Sequence, residues 1–168
     1  MAGWSGSGKT SLLARLIPEL TKNGRKVSTI KHAHHSFDVD QPGKDSYIHR
    51  HAGAHEVMVL SENRWVLMHE NRPPAEPDFA QAVARMSDVD LILVEGFKAY
   101  PHPKLEVHRA SLGKPLLCGG DDHIVAVASD SPLSGVDIPV LDLADTGAIA
   151  AFILDYCGLA PAMAEEAP

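Results

Sequence analysis

Several features that mark other protein classes are scarce in this sequence. Its 168 residues include only two cysteines, Cys118 and Cys157, so a small disulfide-stapled secreted fold is not indicated. A secretory leader and an apolar run of membrane-spanning length are both missing. Acidic residues outnumber basic ones, and the formal net charge of −7 argues against a sequence-independent nucleic-acid binder. We therefore expect a cytoplasmic protein that binds neither nucleic acid nor membrane.

The remaining composition is that of an ordinary globular protein. Hydrophobic residues make up 45% and charged residues 22% of the chain, which is long enough for one domain. We predict a nucleotide-binding domain over residues 1–158. The last stretch, 159–168, has the sequence LAPAMAEEAP and is predicted to be a disordered tail.

A phosphate-binding loop opens the chain. Gly3, Gly8, Lys9 and Thr10 match the pattern G-x-x-x-x-G-K-[ST], and an apolar helical stripe follows. In such a loop, backbone N–H groups cradle the phosphates, the lysine reaches the terminal phosphates and the threonine hydroxyl binds Mg²⁺. The alternative is a flexible Gly/Ser turn that caps a helix. The residues predicted to bind nucleotide here are Gly3, Ser5, Gly6, Ser7, Gly8, Lys9, Thr10 and Ser11.

The elements that follow alternate between strands and helices. Strand-like runs start near residues 26, 90, 104, 124 and 138, and helical runs cover parts of 10–24, 47–54, 79–86 and 145–158. Two further strand-like runs at 56–61 and 64–70 predict a β-hairpin. This order indicates an α/β fold of the P-loop NTPase type, with a mostly parallel sheet flanked by helices and a hairpin insertion. Pro18 predicts a kink in the first helix.

A second group of functional candidates follows two of the strands. Glu95 ends the apolar run DLILVEG, where P-loop proteins place the acidic residue that holds Mg²⁺, so we assign it catalytic and metal-binding roles. The polar segment 31–46 admits three interpretations: a metal site, a solvated loop, or a site for an anion and Mg²⁺. We favour the third, because ligands gather where strands of open α/β sheets end. It assigns anion binding to Lys31, His34 and Lys44, and catalytic orientation to Asp38 and Asp40.

Seven stretches together resemble one family. GWSGSGKTSLL, IKHAHH, DVDQPGKDS, AGA, LILVEGFK, IVAVASD and VLDL are similar to those of the MobB family, the molybdopterin-guanine dinucleotide biosynthesis protein B. The resemblance implies a homodimeric GTP-binding protein with weak GTPase activity and Mg²⁺ as cofactor. It also implies that the protein assists the guanylyltransferase that joins GMP to molybdopterin. By position, Gly6, Gly8, Lys9, Thr10 and Ser11 would bind phosphate and Mg²⁺, and Glu95 would be the acidic residue at the strand end.

One departure from the family pattern concerns the start of the chain. Family members carry a hydrophobic strand before the phosphate loop, whereas only Met1 and Ala2 precede it here. Loss of such a strand would leave unpaired backbone groups and a gap in the core. We therefore expect either that the natural start lies upstream or that another segment or subunit fills the position of the first strand.

Alternatives remain open for the function and for the base. A small-molecule kinase is the second hypothesis, with Arg50 as a lid arginine, and a binding adaptor without turnover is the third. No Asn-Lys-x-Asp motif identifies guanine, so Asp130, Asp142 or Asp145 could contact the base. Trp4 could cover the nucleotide, and Trp65 is interpreted as a packing residue.

Overall fold

The computed structural model describes residues 1–33, 37–73, 75 and 78–159. Its regular elements are four α-helices and seven β-strands, besides short 3-10 turns at Lys22–Gly24 and Ala110–Leu112. The helices are α1 (Lys9–Thr21), α2 (Asp45–His51), α3 (Phe79–Ala84) and α4 (Thr146–Tyr156). The strands are β1 (Val27–Lys31), β2 (Glu56–Leu60), β3 (Trp65–His69), β4 (Leu91–Glu95), β5 (Lys104–His108), β6 (Ile124–Ser129) and β7 (Val140–Asp142).

The chain forms two compact units. The first comprises residues 1–32 and the chain from 82 onward, and the second comprises 33–81. The division into a domain at 1–158 and a tail stays a prediction, and residues 160–168 lie outside the described residues. Among those described, no helix is both long and apolar enough to cross a membrane.

The first unit contains parallel sheet in two parts. Strand β1 pairs with β4 in register Val27 to Leu91, and β5, β6 and β7 pair in that order. All of these pairings are parallel, so the predicted α/β architecture with a mostly parallel sheet is confirmed. Parallel strands end at the same edge, which brings the residues after β1, β4, β5, β6 and β7 into position for a ligand site.

Met1 and Ala2 lie between the two parts of this sheet. The Ala2 N–H donates to Leu105 O at 2.9 Å, and the Val107 N–H donates to Ala2 O at 3.0 Å. On the other side, the Met1 amino group donates to Val94 O at 2.6 Å. These two residues therefore take part of the place of the first strand, and an apolar groove extends from Met1 along β4 and β5.

The core of the first unit is built on α1 and α4. Leu12, Leu16, Leu20 and Ile149 are fully buried, and three of them recur at four-residue spacing on one face of α1. The predicted helix is confirmed and continues through Pro18, since α1 ends only at Thr21. This packing fixes the start of α1, and with it the phosphate loop.

The second unit contains the predicted hairpin. Strands β2 and β3 are antiparallel, with Val57 opposite Met68 and Leu60 opposite Trp65. The prediction that Trp65 is a packing residue was wrong, because 62% of it is exposed. Alternation along a strand distinguishes its two faces, but it does not show that another layer covers either of them.

Candidate nucleotide-binding site

Glycines give the phosphate loop its shape. A Cβ at Gly3 would lie 2.6 Å from Val107 O and 2.8 Å from Ser7 Oγ, so only glycine fits there. Gly6 and Gly8 adopt φ values of 81° and 94°, a region that side-chain-bearing residues rarely occupy. Because Gly8 caps α1 without a side chain, the first N–H groups of the helix are left for an anion.

Lys9 and Thr10 begin α1 directly after this loop. Lys9 Nζ donates to Gly3 O and to Trp4 O, each at 2.9 Å. The Thr10 hydroxyl donates to the Glu95 carboxylate at 3.0 and 3.2 Å. The structure thus brings together a hydroxyl and a carboxylate that the sequence separates by 85 residues. Both are hard oxygen donors of the kind that Mg²⁺ prefers.

The neighbouring ends of β1 and β4 hold Glu95 in place. The His32 N–H donates to Glu95 O at 2.8 Å, and the rings of His32 and Phe97 stack at 4.6 Å. Gly96 between them has φ 103°, and a Cβ there would lie 2.7 Å from His32 Cβ. The stretches at 31–32 and 94–97 therefore have a local structural role, because their close contact fixes the backbone that carries Glu95.

Positive charge exceeds negative charge around the loop. Lys31 Nζ lies 3.8 Å from Glu95 Oε1. The pKa of Lys9 is lowered, first by burial and then by the charge of Lys98, while Glu95 acts in the opposite direction and Lys31 lowers it further. A group of three lysines around one glutamate leaves a net positive field, which suits a polyanion such as a triphosphate.

Arg109 was missed by sequence reasoning. It follows β5 immediately, and its Nε donates to Ser7 O of the phosphate loop at 3.1 Å. Its Nη1 lies 3.5 Å from Asp130 Oδ2 at the end of β6. A polar residue directly after a buried strand was the available signal, because β5 ends at the same sheet edge as the phosphate loop.

The second unit contains the other predicted site residues. Arg50 Nη2 bonds both Asp38 oxygens at 2.7–2.8 Å, and Arg50 Nε lies 3.6 Å from Asp40 Oδ2. The pKa of Asp38 is lowered by the Asp40 N–H and then by Arg50. Lys44 caps α2 and is exposed. The catalytic roles of Asp38 and Asp40 and the anion-binding role of Lys44 stay predictions.

The family model for "Molybdopterin guanine dinucleotide synthesis protein B" matches residues 1–130. That range includes the phosphate loop, the Thr10–Glu95 pair and Arg109. The chain belongs to the MobB family. The resemblance that we inferred from the sequence motifs is therefore confirmed, and so is the predicted fold of the P-loop NTPase type.

Similar proteins cover nearly the whole chain. The molybdopterin-guanine dinucleotide biosynthesis adapter protein of Escherichia coli K12 is 46% identical over 92% of this chain and 90% of its own length. The protein of the same name from Haemophilus influenzae is 42% identical over 93% of this chain and 86% of its own. A crystal structure described as molybdopterin-guanine biosynthesis protein B aligns with TM-score 0.75 at 26% identity, covering 94% and 96% of the two chains.

One observation on this MobB chain fits a bound nucleotide. The Ser7 hydroxyl is buried and, among the described residues, has no hydrogen-bond partner. It lies inside the loop next to Gly3, and the backbone N–H groups of such a loop cradle phosphate oxygens. The exposed residues Ser5 and Ser11 flank the same loop.

The structure does not bear on the interpretation of the polar segment 31–46 as a metal site. His34 and His35 lie outside the described residues, so the assignment of His34 to anion binding stays a prediction. Within the part of the chain that is described, no group of three or more His, Cys, Asp or Glu side chains could hold a metal ion. The proposed Mg²⁺ ligands, Thr10 and Glu95, number only two, and the remaining ligands would be phosphate oxygens and water.

Proposed function

We propose that this chain binds GTP with Mg²⁺ at the phosphate loop and acts as an adapter in the synthesis of molybdopterin-guanine dinucleotide. The observation that carries the proposal is the Thr10–Glu95 hydrogen bond of 3.0 Å beside the loop. It supports the proposal, because P-loop proteins bind Mg-nucleotide where a phosphate loop meets an acidic strand end. The names of the E. coli and H. influenzae relatives supply the pathway.

The roles of the individual residues follow from charge and position. The loop N–H groups and Lys9 hold the phosphates, and Thr10 and Glu95 hold Mg²⁺, which neutralises charge on the phosphate oxygens when it is bound. Lys31 and Lys98 add positive potential. Hydrolysis without a partner is expected to be slow, on the order of 10⁻³ per second or less, as in GTPases that lack a supplied arginine.

The kinase alternative has less support. A kinase lid needs arginines that surround the transferred phosphoryl group. Arg50, the lid arginine considered from the sequence, pairs with Asp38, Asp40 and Glu70 within its own unit. Those three carboxylates compensate its charge, which favours a structural role for Arg50 in the second unit.

Nucleotide binding is tested first, by calorimetry with GTP and ATP, each with and without Mg²⁺. The Lys9→Ala variant is compared with Lys26→Ala, which removes an exposed lysine at the start of β1. We expect Mg-GTP binding that Lys9→Ala weakens and Lys26→Ala leaves unchanged. Failure of the unchanged chain to bind any nucleotide would reject the proposal.

The pathway role is tested by reconstitution. Guanine dinucleotide formation is measured from molybdopterin, limiting Mg-GTP and the guanylyltransferase, with this protein added or omitted. We expect stimulation by the unchanged chain and by Lys26→Ala, but not by Lys9→Ala. Equal stimulation by Lys9→Ala would show that nucleotide binding at the loop is not what the adapter contributes.

We further propose that the protein is a homodimer and that the hairpin of the second unit contributes to the interface. Apolar side chains on both strands of this two-stranded sheet are 40–68% exposed. Surface of this kind on a sheet with open edges is typical of an interaction site. The residues concerned are Met58, Val59, Leu60, Trp65, Val66 and Leu67.

Light scattering provides the measurement for the dimer. Trp65→Ser combined with Leu67→Ser should lower the molar mass from that of a dimer to that of a monomer. Ile48→Ser, which removes an exposed apolar side chain on α2, should not. A dimer that persists in the double variant would exclude the hairpin, and a monomeric unchanged chain would exclude the homodimer.

A further inference from the structure

A second concave surface lies at the carboxyl ends of β6 and β7, in the same unit as the phosphate loop. We call it the edge pocket; it is lined by residues 129–132 and 140–142. Pro132, Val140 and Leu141 give it apolar walls, while Asp130 and Asp142 bring carboxylates. A flat heterocycle with a polar rim has this combination of apolar faces and hydrogen-bonding edges.

Arg109 connects the edge pocket to the phosphate loop. Its guanidinium donates to Ser7 O, and a Cβ at Gly8 would lie 3.3 Å from its Nε. At its other end, Asp130 lies 3.5 Å from Nη1 and also accepts the Ala110 N–H at 3.0 Å. The arginine is thus held between the loop and the pocket, with 40% of its side chain exposed.

We propose that the edge pocket receives the base of the nucleotide whose phosphates lie on the loop, and that Asp142 selects guanine. This inference rests on the proposed function, because it assumes that a nucleotide binds at the loop. The exposed planar guanidinium of Arg109 gives the base a surface on which to stack. Asp130, whose two oxygens already meet Arg109 and Ala110, positions that guanidinium.

The choice of Asp142 follows from its contacts. One of its oxygens accepts the Ala144 N–H at 2.8 Å, which fixes the carboxylate at the end of β7. A carboxylate offers about four acceptor positions on its two oxygens, so it can still accept two more hydrogen bonds. Asp145 is a weaker candidate, because its Oδ1 caps α4 by accepting the Ala148 N–H at 2.9 Å and, unlike Asp142, it does not line the edge pocket.

Guanine is the base that matches an acceptor-only group. Its N1–H and its 2-amino group are adjacent donors, and a carboxylate accepts both. Adenine has an unprotonated N1, an acceptor, beside its 6-amino group, so one oxygen of the carboxylate would face a lone pair. A site that pairs with two donors disfavours the analogue that lacks one of them, because a carboxylate oxygen covered by the bound base is then left unpaired.

The test compares the binding of GDP, ADP and xanthosine diphosphate to the unchanged chain and to Asp142→Asn. We expect the unchanged chain to prefer GDP and the variant to bind GDP about ten- to a hundredfold more weakly. The variant should gain affinity for xanthosine diphosphate, because xanthine has a carbonyl at C2 that the new amide can meet as a donor. Asp137→Asn, an exposed acid in the loop between β6 and β7, makes the same charge change and should leave all three affinities unchanged.

Inosine diphosphate gives a second measurement on the unchanged chain, needed if Asp142→Asn does not fold. It lacks the 2-amino group and should bind about tenfold more weakly than GDP, as one lost charged hydrogen bond requires. Equal binding of GDP and inosine diphosphate, or a guanine preference that survives Asp142→Asn, would overturn the assignment of Asp142 while leaving nucleotide binding intact. Absence of any nucleotide binding would reject the proposed function itself.

Discussion

The buried amino group of Met1 makes the stability of this 168-residue chain depend on pH. This group lies between β4 and β5, where burial lowers its pKa from 8.0 to about 6 despite the opposing charge of Glu95. Between those pH values the unfolded chain holds a proton that the folded chain has released. The amino group therefore contributes to the free energy of unfolding fully above pH 8. This contribution decreases as the pH falls from 8 and is lost once the pH has fallen through 6.

The size of this effect follows from the pKa difference. A difference of two pKa units, at about 1.4 kcal/mol each, gives roughly 3 kcal/mol over the whole interval. A domain of ordinary stability has only about 5–15 kcal/mol in total, so the change is large enough to measure. Acetylation of the amino group removes the charge and with it this contribution. An apolar groove adjoins Met1.

Urea unfolding at pH 5.5, 7 and 8.5 provides the assay, applied to the free and the acetylated chain. The two forms share every side chain, so the difference between them, and not the slope of either, isolates the amino group. We expect acetylation to stabilise the chain by up to roughly 3 kcal/mol at pH 5.5 and by much less at pH 8.5. An identical pH dependence of the two forms would refute the burial of this amine.

Three further predictions concern single substitutions. Lys9→Ala should weaken triphosphate binding about ten- to a hundredfold and leave nucleoside binding nearly unchanged, as calorimetry would show. Gly96→Ala should lower the free energy of unfolding by about 1–3 kcal/mol, because φ 103° and the nearby His32 Cβ leave no room for a methyl group. Glu106→Gln should lower it by about 1–3 kcal/mol in urea unfolding, since the buried carboxylate accepts the backbone N–H groups of residues 117 and 118 at 2.8 and 3.0 Å. Unchanged affinity or midpoints in these assays would contradict the contacts concerned.

The sequence predicted the parts of the fold that depend on local patterns. The apolar runs before Glu95 and Asp130 are strands β4 and β6, and the leucines at four-residue spacing bury one face of α1. Each pattern reflects the burial of a single strand or helix, so it can be recognised without knowing which element packs against it. The phosphate loop was predictable for the same reason, because its glycines act on the backbone where they stand.

Contacts between distant parts of the chain were harder to predict. Arg109 has no motif, and its role becomes visible only when β5 is placed beside the phosphate loop and Ser7 O accepts its Nε. The exposure of Trp65 likewise depends on whether another layer covers the hairpin. The sequence did pair Thr10 with Glu95, but only because a general P-loop rule supplied the long-range contact.

The charges around the loop suggest how the proposed nucleotide site would select polyphosphates over nucleosides. Lys9 donates to the carbonyls of Gly3 and Trp4, and its pKa is lowered by burial and by Lys98. A triphosphate would exchange those neutral acceptors for charged ones and would offset the repulsion among the lysines. A neutral nucleoside offers neither gain, so Lys9 would keep its bonds to these two carbonyls and would contribute little to nucleoside binding. On the proposed function, discrimination between triphosphate and nucleoside therefore comes from the charges of Lys9, Lys31 and Lys98 as much as from the contacts that phosphate makes.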